Sequence, residues 1–386
     1  MKICIVVGVY PNLSETFVRS QVEGLARRGH EVEVLCRHVN AGAGGCVVRI
    51  RRWWGPLSAL SAPVEMLSYR LGHKAQRMLD QIHRQYFRRF DVILAHFGHT
   101  GARVASTLAG MERAPPLVTI YHGYDVATVA HENGMWRYRQ LFDVGALHLP
   151  VNDAFRDMLV AGGAPPKRTV VHRVGTEFRP AAPAPDQPAT GMRFLSVCRL
   201  TEKKGITYAI SALERLAKDR PDLDWRYEIV GAGELDELLR RQASASTVSD
   251  RIVFLGAQPH QEVKRLMQVA DVFLLPSVTA ENGDSEGVPV SLMEAMASGV
   301  LVVSTSHSGI PELVEDGESG FLAPERDVGA LAAKIAAAAD AAGNPTIRRA
   351  AADRIEHYFN SDVQLEELER LLNGVGRHRV LSEEYA

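Results

Sequence analysis

The segment SEGVPVSLMEAMASG, residues 285–299, sets two carboxylates eight residues apart, Glu286 and Glu294. Glu286 falls in a loop before an expected helix over Val290–Ala297, and Glu294 sits about one turn into that helix. The helix start over Gly287, Val288, Pro289, Val290 and Ser291 offers unpaired N–H groups and a positive dipole end, which attract an anion. Each carboxylate accepts two hydrogen bonds and suits vicinal hydroxyls. Amides for phosphate beside carboxylates for hydroxyls describe a nucleotide sugar. The same two acids also read as ordinary surface charges on a helix start.

A second constellation is SVCRLTEKKG, residues 196–205. Arg199 and Lys204 follow the end of an expected strand, where two cations can hold a diphosphate, the guanidinium by two oxygens and the ammonium as a point charge. Lys203 is expected to be a solvated neighbour. Fixed charges that stabilise a departing diphosphate do the work of a metal ion. The 14 histidines show no metal-ligand spacing, so neither metal nor cofactor is expected.

Weaker signals lie in the first half. In YHGYD, residues 121–125, His122 and Asp125 can hydrogen-bond sugar hydroxyls, and His96 repeats the pattern after another strand; a lone histidine at a strand end is also an ordinary structural residue. The loop GVYPNLSETF, residues 8–17, offers Ser14, Glu15 and Thr16 as sugar or acceptor contacts, with Ser14 equally suited to cap the helix that follows. It holds Gly8 but no G-x-G-x-x-G, which argues against a nicotinamide fingerprint.

The elements that carry these residues alternate strand and helix. Ile3–Val7 is a continuous apolar run, as a strand buried on both faces requires. A helix over Glu15–Arg28, closed by Gly29, leads to a strand at Val32–Cys36. Residues 37–63 look irregular, with Gly42, Gly44, Gly45 and the pair Trp53-Trp54. A long helix is expected where Val64, Leu67, Leu71, Ala75, Met78, Ile82 and Tyr86 recur at 3–4 spacing. Its opposite stripe is Arg70, Lys74, Arg77, Gln81, Arg84 and Arg88. Further strands are Asp91–His96, Leu117–Tyr121 and Ala146–Val151. A proline-rich linker spans 179–192, and a second alternating unit begins at the strand Arg193–Val197. The expected organisation is an α/β first domain over 1–178, the linker, and a second domain over 193–359. Helices near 347–359 and 363–372 follow, and residues 360–386 return to the first domain with a loosely held tail from Gly374. Two doubly wound domains bind ligands at the carboxyl ends of their strands and are expected to face a cleft.

A chain of 386 residues suits two domains. No apolar run approaches the 18 or so residues that span a bilayer. Because Met1 runs directly into a strand, no cleavable leader is expected, and the four cysteines lack CxxC pairing. Reduced thiols in a cytoplasmic protein are the expectation. Charge is uneven: residues 1–176 carry 22 Lys and Arg against 13 Asp and Glu, the remainder 22 against 33. Arg49, Arg51 and Arg52 beside Trp53 and Trp54, with the stripe Arg70–Arg88, suit an anionic membrane surface; a solvated basic helix is the alternative.

At the Glu-x7-Glu pair and the 197–205 segment the sequence resembles the retaining group 1 glycosyltransferases of GT-B fold. Residues 11–17, HGYD and 277–296 resemble bacterial exopolysaccharide transferases of the colanic acid and amylovoran type. The resemblance covers essentially the whole chain. It implies two Rossmann-like domains, and it implies roles: Glu286 on the donor hexose, Glu294 on the ribose hydroxyls, Arg199 and Lys204 on the diphosphate. Backbone at Gly231, Gly233, Ala257 and Gln258 would frame the base, and His122 would lie near the transferred sugar. Many members carry a Gly-Gly pair in the first loop where this sequence reads LSET. Implied partners are a nucleotide-diphosphate sugar, UDP favoured by family frequency, and a glycan or polyprenyl-diphosphate-linked acceptor, with no nucleic acid. A nucleotide-sugar epimerase or hydrolase, and a noncatalytic nucleotide-sugar-binding subunit, are the competing functions on this fold.

Overall fold

The first strand, β1 (Lys2–Tyr10), is apolar through Ile3, Cys4, Ile5 and Val6, each wholly buried, because a central parallel strand is covered on both faces. The computed structural model describes residues 1–12, 15–40, 48–53, 81–132, 134–177 and 191–384. Two compact units emerge, Met1–His172 with Gln364–Ala386, and Arg173–Val363. The first therefore ends before 178, since residues 173–177 bond to the chain near 360: Thr176 N donates to Phe359 O and Ser361 N to Thr176 O.

Unit one holds β1, β2 (Glu31–Val39), β3 (Arg49–Arg52), β4 (Val92–His96), β5 (Leu117–Tyr121) and β6 (Leu147–Pro150). They form one parallel sheet in the order β3-β2-β1-β4-β5-β6. The stretch read as irregular therefore contains the end of β2 and all of β3. An edge strand of sequence RIRR needs no apolar run, and its exposed arginines discourage pairing with another chain. The helix after β1 runs Thr16–Arg27, and Gly29 follows at φ +87°.

The final helix, Ser361–Glu384, continues past Gly374, where a loose tail had been expected. Its Leu368 and Leu372 are fully buried, Leu365 lies against Gly24 of the helix Thr16–Arg27, and Glu369 bonds both Arg28 Nε (2.6 Å) and His30 Nε2 (3.0 Å).

Unit two holds β7 (Met192–Val197), β8 (Trp225–Val230), β9 (Ile252–Gly256), β10 (Val272–Leu275), β11 (Leu301–Thr305) and β12 (Phe321–Ala323), parallel throughout in the order β12-β11-β10-β7-β8-β9. Both sheets reverse direction of growth once, between β1 and β4 and between β7 and β10. At such a point the crossover helices leave to opposite faces and open a crevice at the strand ends.

The sequence expectations for Ser14, Gly42, Gly44, Gly45, Trp54, Arg70, Lys74, Arg77, the helix over 64–80 and the linker over 179–190 lie outside the described residues; residues 81–87 are helical. The aromatic half of the membrane patch is corrected at Trp53, which is 6% exposed and packs on Phe87 and His83. Arg51 pairs with Glu33, and Arg84 donates to Thr107 O and Ala109 O at the end of the helix Gly98–Leu108. These groups serve the fold.

Candidate functional site

In unit two, the loops after β7 and β10 meet at the switch point because glycine lets them. Gly205 has φ +66°, and a Cβ there would stand 1.8 Å from Pro276 O; after β8, Gly231, at φ +139°, comes as close to Cys198 O beyond β7. Lys204 thereby reaches across: its Nζ is 2.7 Å from Glu286 Oε1, with side-chain exposures of 12% and 8%. Burial pushes the Glu286 carboxyl up, but Lys204 and Lys203 outweigh it and hold it below the usual range. The two constellations that the sequence presents separately form one ion pair.

Lys203 is corrected from a solvated cation to a buried one. It is 9% exposed, and its Nζ donates to Asp284 Oδ1 at 3.0 Å and Ser285 O at 3.4 Å. Arg199 is exposed, with no ion pair among the described residues. Cys198 is pushed up to about 12 by burial, against the nearby cations of Lys204 and Arg199.

Glu294 lies on the helix Val290–Ala297, which starts after Pro289, so Gly287 and Val288 precede it and Val290 and Ser291 form its first turn. Its carboxyl is raised by burial; Lys264 opposes this and Glu177 reinforces it. The two glutamates thus occupy opposite environments: one charge-compensated, the other desolvated. At the ends of β8 and β9, Gly231 N donates to Gly256 O, Gly233 packs against Leu200 O, Ala257 is exposed, and Gln258 turns its amide onto Leu255 O at 2.6 Å. Buried hydroxyls of Thr201, Ser277, Ser285 and Ser308 have no protein partner among the described residues. They stand on loops after β7, β10 and β11.

Sequence reasoning missed His307 and Glu325. Glu286 N donates to His307 Nε2 at 3.0 Å, His307 Nδ1 is 2.6 Å from Glu325 Oε1, and Thr279 N donates to Glu325 Oε2 at 2.8 Å. The available signal was a polar residue within two positions of the end of an apolar strand, the kind of signal that marked His96 and His122.

In unit one, His96 ends β4 and His122 follows β5. Their rings stack at 5.3 Å, with His96 Nδ1 3.1 Å from His122 Nε2. Phe17 packs on His122 at 4.5 Å, bringing the first loop to it. Burial lowers His96 to about 3 and His122 well below its ordinary value, with His172 adding repulsion. Both rings are neutral hydrogen-bonding groups at pH 7. Asp125 is corrected from a sugar contact to a backbone clamp. It is 1% exposed and accepts from Gly98 N (2.7 Å), His122 N (3.0 Å) and Gly123 N (2.9 Å). Thr16 is exposed at its helix start, and Glu15 N bonds Asn12 O.

Among the described residues no three His, Cys, Asp or Glu side chains converge as a metal-ligand set, and no helix is long and apolar enough to cross a membrane.

Residues 181–352 match the family "Glycosyl transferases group 1", and residues 14–175 a "Glycosyl transferase 4-like domain". The putative colanic acid biosynthesis glycosyltransferase WcaL of Escherichia coli K12 is 35% identical over 415 aligned residues, covering 97% of this chain and 100% of the relative. The amylovoran biosynthesis glycosyltransferase AmsK of Erwinia amylovora is 34% identical, covering 96% and 99%. Among solved structures, Anabaena Alr3699/HepE in complex with UDP superposes with a TM-score of 0.76 at 19% identity over 97% of this chain and 100% of that one. The sucrose-phosphate synthase of Thermosynechococcus elongatus gives 0.73 at 20%, over 97% and 99%.

Proposed function

The chain belongs to the group 1 glycosyltransferases, and from that premise we propose that it moves a hexose from a nucleotide-diphosphate sugar to a hydroxyl of a glycan or polyprenyl-diphosphate-linked acceptor in exopolysaccharide biosynthesis. That it is a glycosyltransferase on a GT-B fold follows from its relatives; the donor, stereochemistry and acceptor are our reading. The observation that carries it is the Lys204–Glu286 pair at the β7/β10 switch point. A cation and a carboxylate joined there have one partner each in a sugar diphosphate, oxygen anion for Lys204 and hydroxyls for Glu286.

In this reading Arg199 and Lys204 hold the diphosphate, Glu286 the hexose, Glu294 the ribose hydroxyls, and the backbone at Gly231, Gly233, Ala257 and Gln258 the base. To His122 we assign a neutral hydrogen bond to a sugar hydroxyl. Transfer retains anomeric configuration by front-face substitution: the bond from the anomeric carbon to the phosphate oxygen breaks, the acceptor oxygen bonds to that carbon, and the hydroxyl proton passes to the departing oxygen. The fixed cations stabilise the developing charge, so no metal or cofactor is required. UDP, the nucleotide in the HepE complex, is the first to try.

A thermal-shift screen against UDP-, GDP- and ADP-hexoses, followed by transfer to a polyprenyl-diphosphate-linked glycan, tests the reading. One nucleotide class should raise Tm, and NMR of the product should show the donor's anomeric configuration. Donor consumed equally fast without acceptor, or an inverted product, overturns it. We place the reaction at the cytoplasmic membrane face, with exposed Arg49, Arg52 and Arg88 drawn to anionic headgroups. Protein that stays unbound to anionic liposomes at low salt removes that placement.

A further inference from the structure

Three residues other than glycine have positive φ among the described residues: Phe97, Ser308 and Arg326. Such backbone is costly, and it persists where the surroundings demand it. Phe97 stands beside His96. The other two flank a single pair of side chains, Ser308 following His307 and Arg326 following Glu325. The strain is therefore placed on both sides of the contact in which His307 Nδ1 is 2.6 Å from Glu325 Oε1.

That contact is anchored at each end. His307 is 1% exposed and closes the end of β11; its own amide bonds Thr305 O. Glu325 follows β12, and its second oxygen accepts from Thr279 N. Arg326 donates from Nε to Tyr208 OH at 3.2 Å and from Nη2 to Thr279 O. At the far end of the imidazole, Glu286 N donates to Nε2 at 3.0 Å. A backbone amide can only donate, so Nε2 is bare and the ring proton sits on Nδ1, directed at the Glu325 carboxylate. The relay fixes one tautomer and, through it, one position of the Glu286 backbone.

We propose that His307 and Glu325 are positioning residues for transfer, holding Glu286 on the hexose through the bond from Glu286 N to a bare His307 Nε2. The proposal rests on the reading of Glu286 given above. It assigns neither residue to the nucleotide, so their loss is felt in turnover and not in nucleotide affinity.

The chemistry dictates the variants. His307→Leu removes both bonds. His307→Gln restores an acceptor for Glu286 N. Glu325→Gln puts an amide where two acceptor oxygens stood, so either Thr279 N or the histidine faces a donor, and the histidine can be driven to its other tautomer. His307→Leu is expected to lower kcat roughly 10- to 100-fold, the range for removal of a group that orients a functional one. The Kd for UDP or GDP, whichever raises the wild-type Tm, stays within about twofold. His307→Gln recovers part of kcat. On a Glu286→Ala background, His307→Leu costs little more, because the two act through one contact. Long-range 1H–15N spectra of histidine-labelled protein should show His307 with its proton on Nδ1.

A proton on Nε2 overturns the proposal, as does nucleotide affinity falling in step with kcat, equal losses in the Leu and Gln variants, or fully additive losses on the Glu286→Ala background. If Glu286→Ala itself keeps full turnover, the reading of Glu286 has failed. If Glu286→Ala is impaired and His307→Leu is not, only the positioning role has.

Discussion

Lys204 Nζ lies 2.7 Å from Glu286 Oε1, and this ion pair links the two strands, β7 and β10, between which the second sheet reverses its order. Neither charge has much water, so each depends on the other. Lys204→Ala leaves a buried carboxylate, and removing one partner of a buried pair costs about 3–5 kcal/mol. The same change removes a cation from the proposed diphosphate site, worth on the order of 10²–10³ in kcat. Thermal melts and turnover with the donor found by screening check the two effects separately. Near-wild-type kcat in a folded variant takes Lys204 out of the chemistry.

The two glutamates respond oppositely to pH. The Glu286 carboxyl is lowered on folding, so its contribution to stability is present above the ordinary carboxylate pKa and lost as pH falls through the lowered value. The Glu294 carboxyl is raised, chiefly by burial. Its contribution is favourable below the ordinary value and is lost as pH rises through the raised one, so ionising the side chain opposes folding. Glu294→Gln is therefore expected to raise Tm at pH 7, with the gain shrinking toward pH 4. It should also weaken nucleotide binding roughly tenfold or more, the worth of a charged hydrogen bond to hydroxyls. Calorimetry with UDP and GDP, paired with melts at both pH values, measures each part. A Tm that falls at pH 7 contradicts the burial account, and unchanged nucleotide affinity contradicts the ribose role.

How much of this was legible follows from where the information lies. Glu286, Glu294, Arg199 and Lys204 are local features, two acids on a helix start and two cations after a strand, and so is the alternation that yields parallel sheets. What was not legible depends on distant partners. Lys203 and Lys204 are neighbours in sequence, yet only Asp284 and Glu286, some eighty residues on, make both of them buried ions. Trp53 beside three arginines looks like a membrane foot until Phe87 and His83 pack on it. Asp125 looks available until three amides converge on it. His307 and Glu325 are brought together only when β11 and β12 pair.

Gly205 tests the meeting of the loops. Its positive φ disfavours any side chain, and a Cβ would collide with the Pro276 carbonyl at 1.8 Å. A backbone atom cannot swing aside as a side chain can. Gly205→Ala should lower stability by about 1–3 kcal/mol, the scale of a residue forced into unfavourable backbone, and it should displace Lys204 from Glu286. Chemical denaturation gives the first and nucleotide affinity the second. By contrast, a Cβ on Gly343 would meet nothing within 4 Å, and Gly343→Ala should change neither.

The last helix is tied to unit one by apolar packing more than by charge. Leu368 and Leu372 are fully buried, whereas Glu369 meets Arg28 and His30 near the surface. Leu368→Ala is expected to cost about 2–5 kcal/mol, the range for a buried leucine. Glu369→Ala should cost on the order of 1 kcal/mol or less, as exposed pairs do. Denaturant midpoints of both variants check the ranking; a larger loss from Glu369→Ala would reverse the account of what holds the helix.

Asp125→Asn separates a clamp from a ligand contact. The carboxylate accepts three backbone N–H groups, from Gly98 on Oδ2 and from His122 and Gly123 on Oδ1. Asparagine is nearly the same size but replaces one oxygen with an NH2. If that group faces Gly98, a donor meets a donor; if it faces the other pair, two do. The smaller loss leaves one buried amide unpaired, at about 1–3 kcal/mol. Burial raises the native carboxyl above its usual range and the three amides oppose that shift; its oxygens accept from all three amides. The variant should therefore melt earlier, and the His122 ring should shift against Phe17, which histidine NMR spectra would register. A residue that merely touched a sugar would leave Tm and the His122 resonances in place, and that outcome would make Asp125 a ligand contact after all.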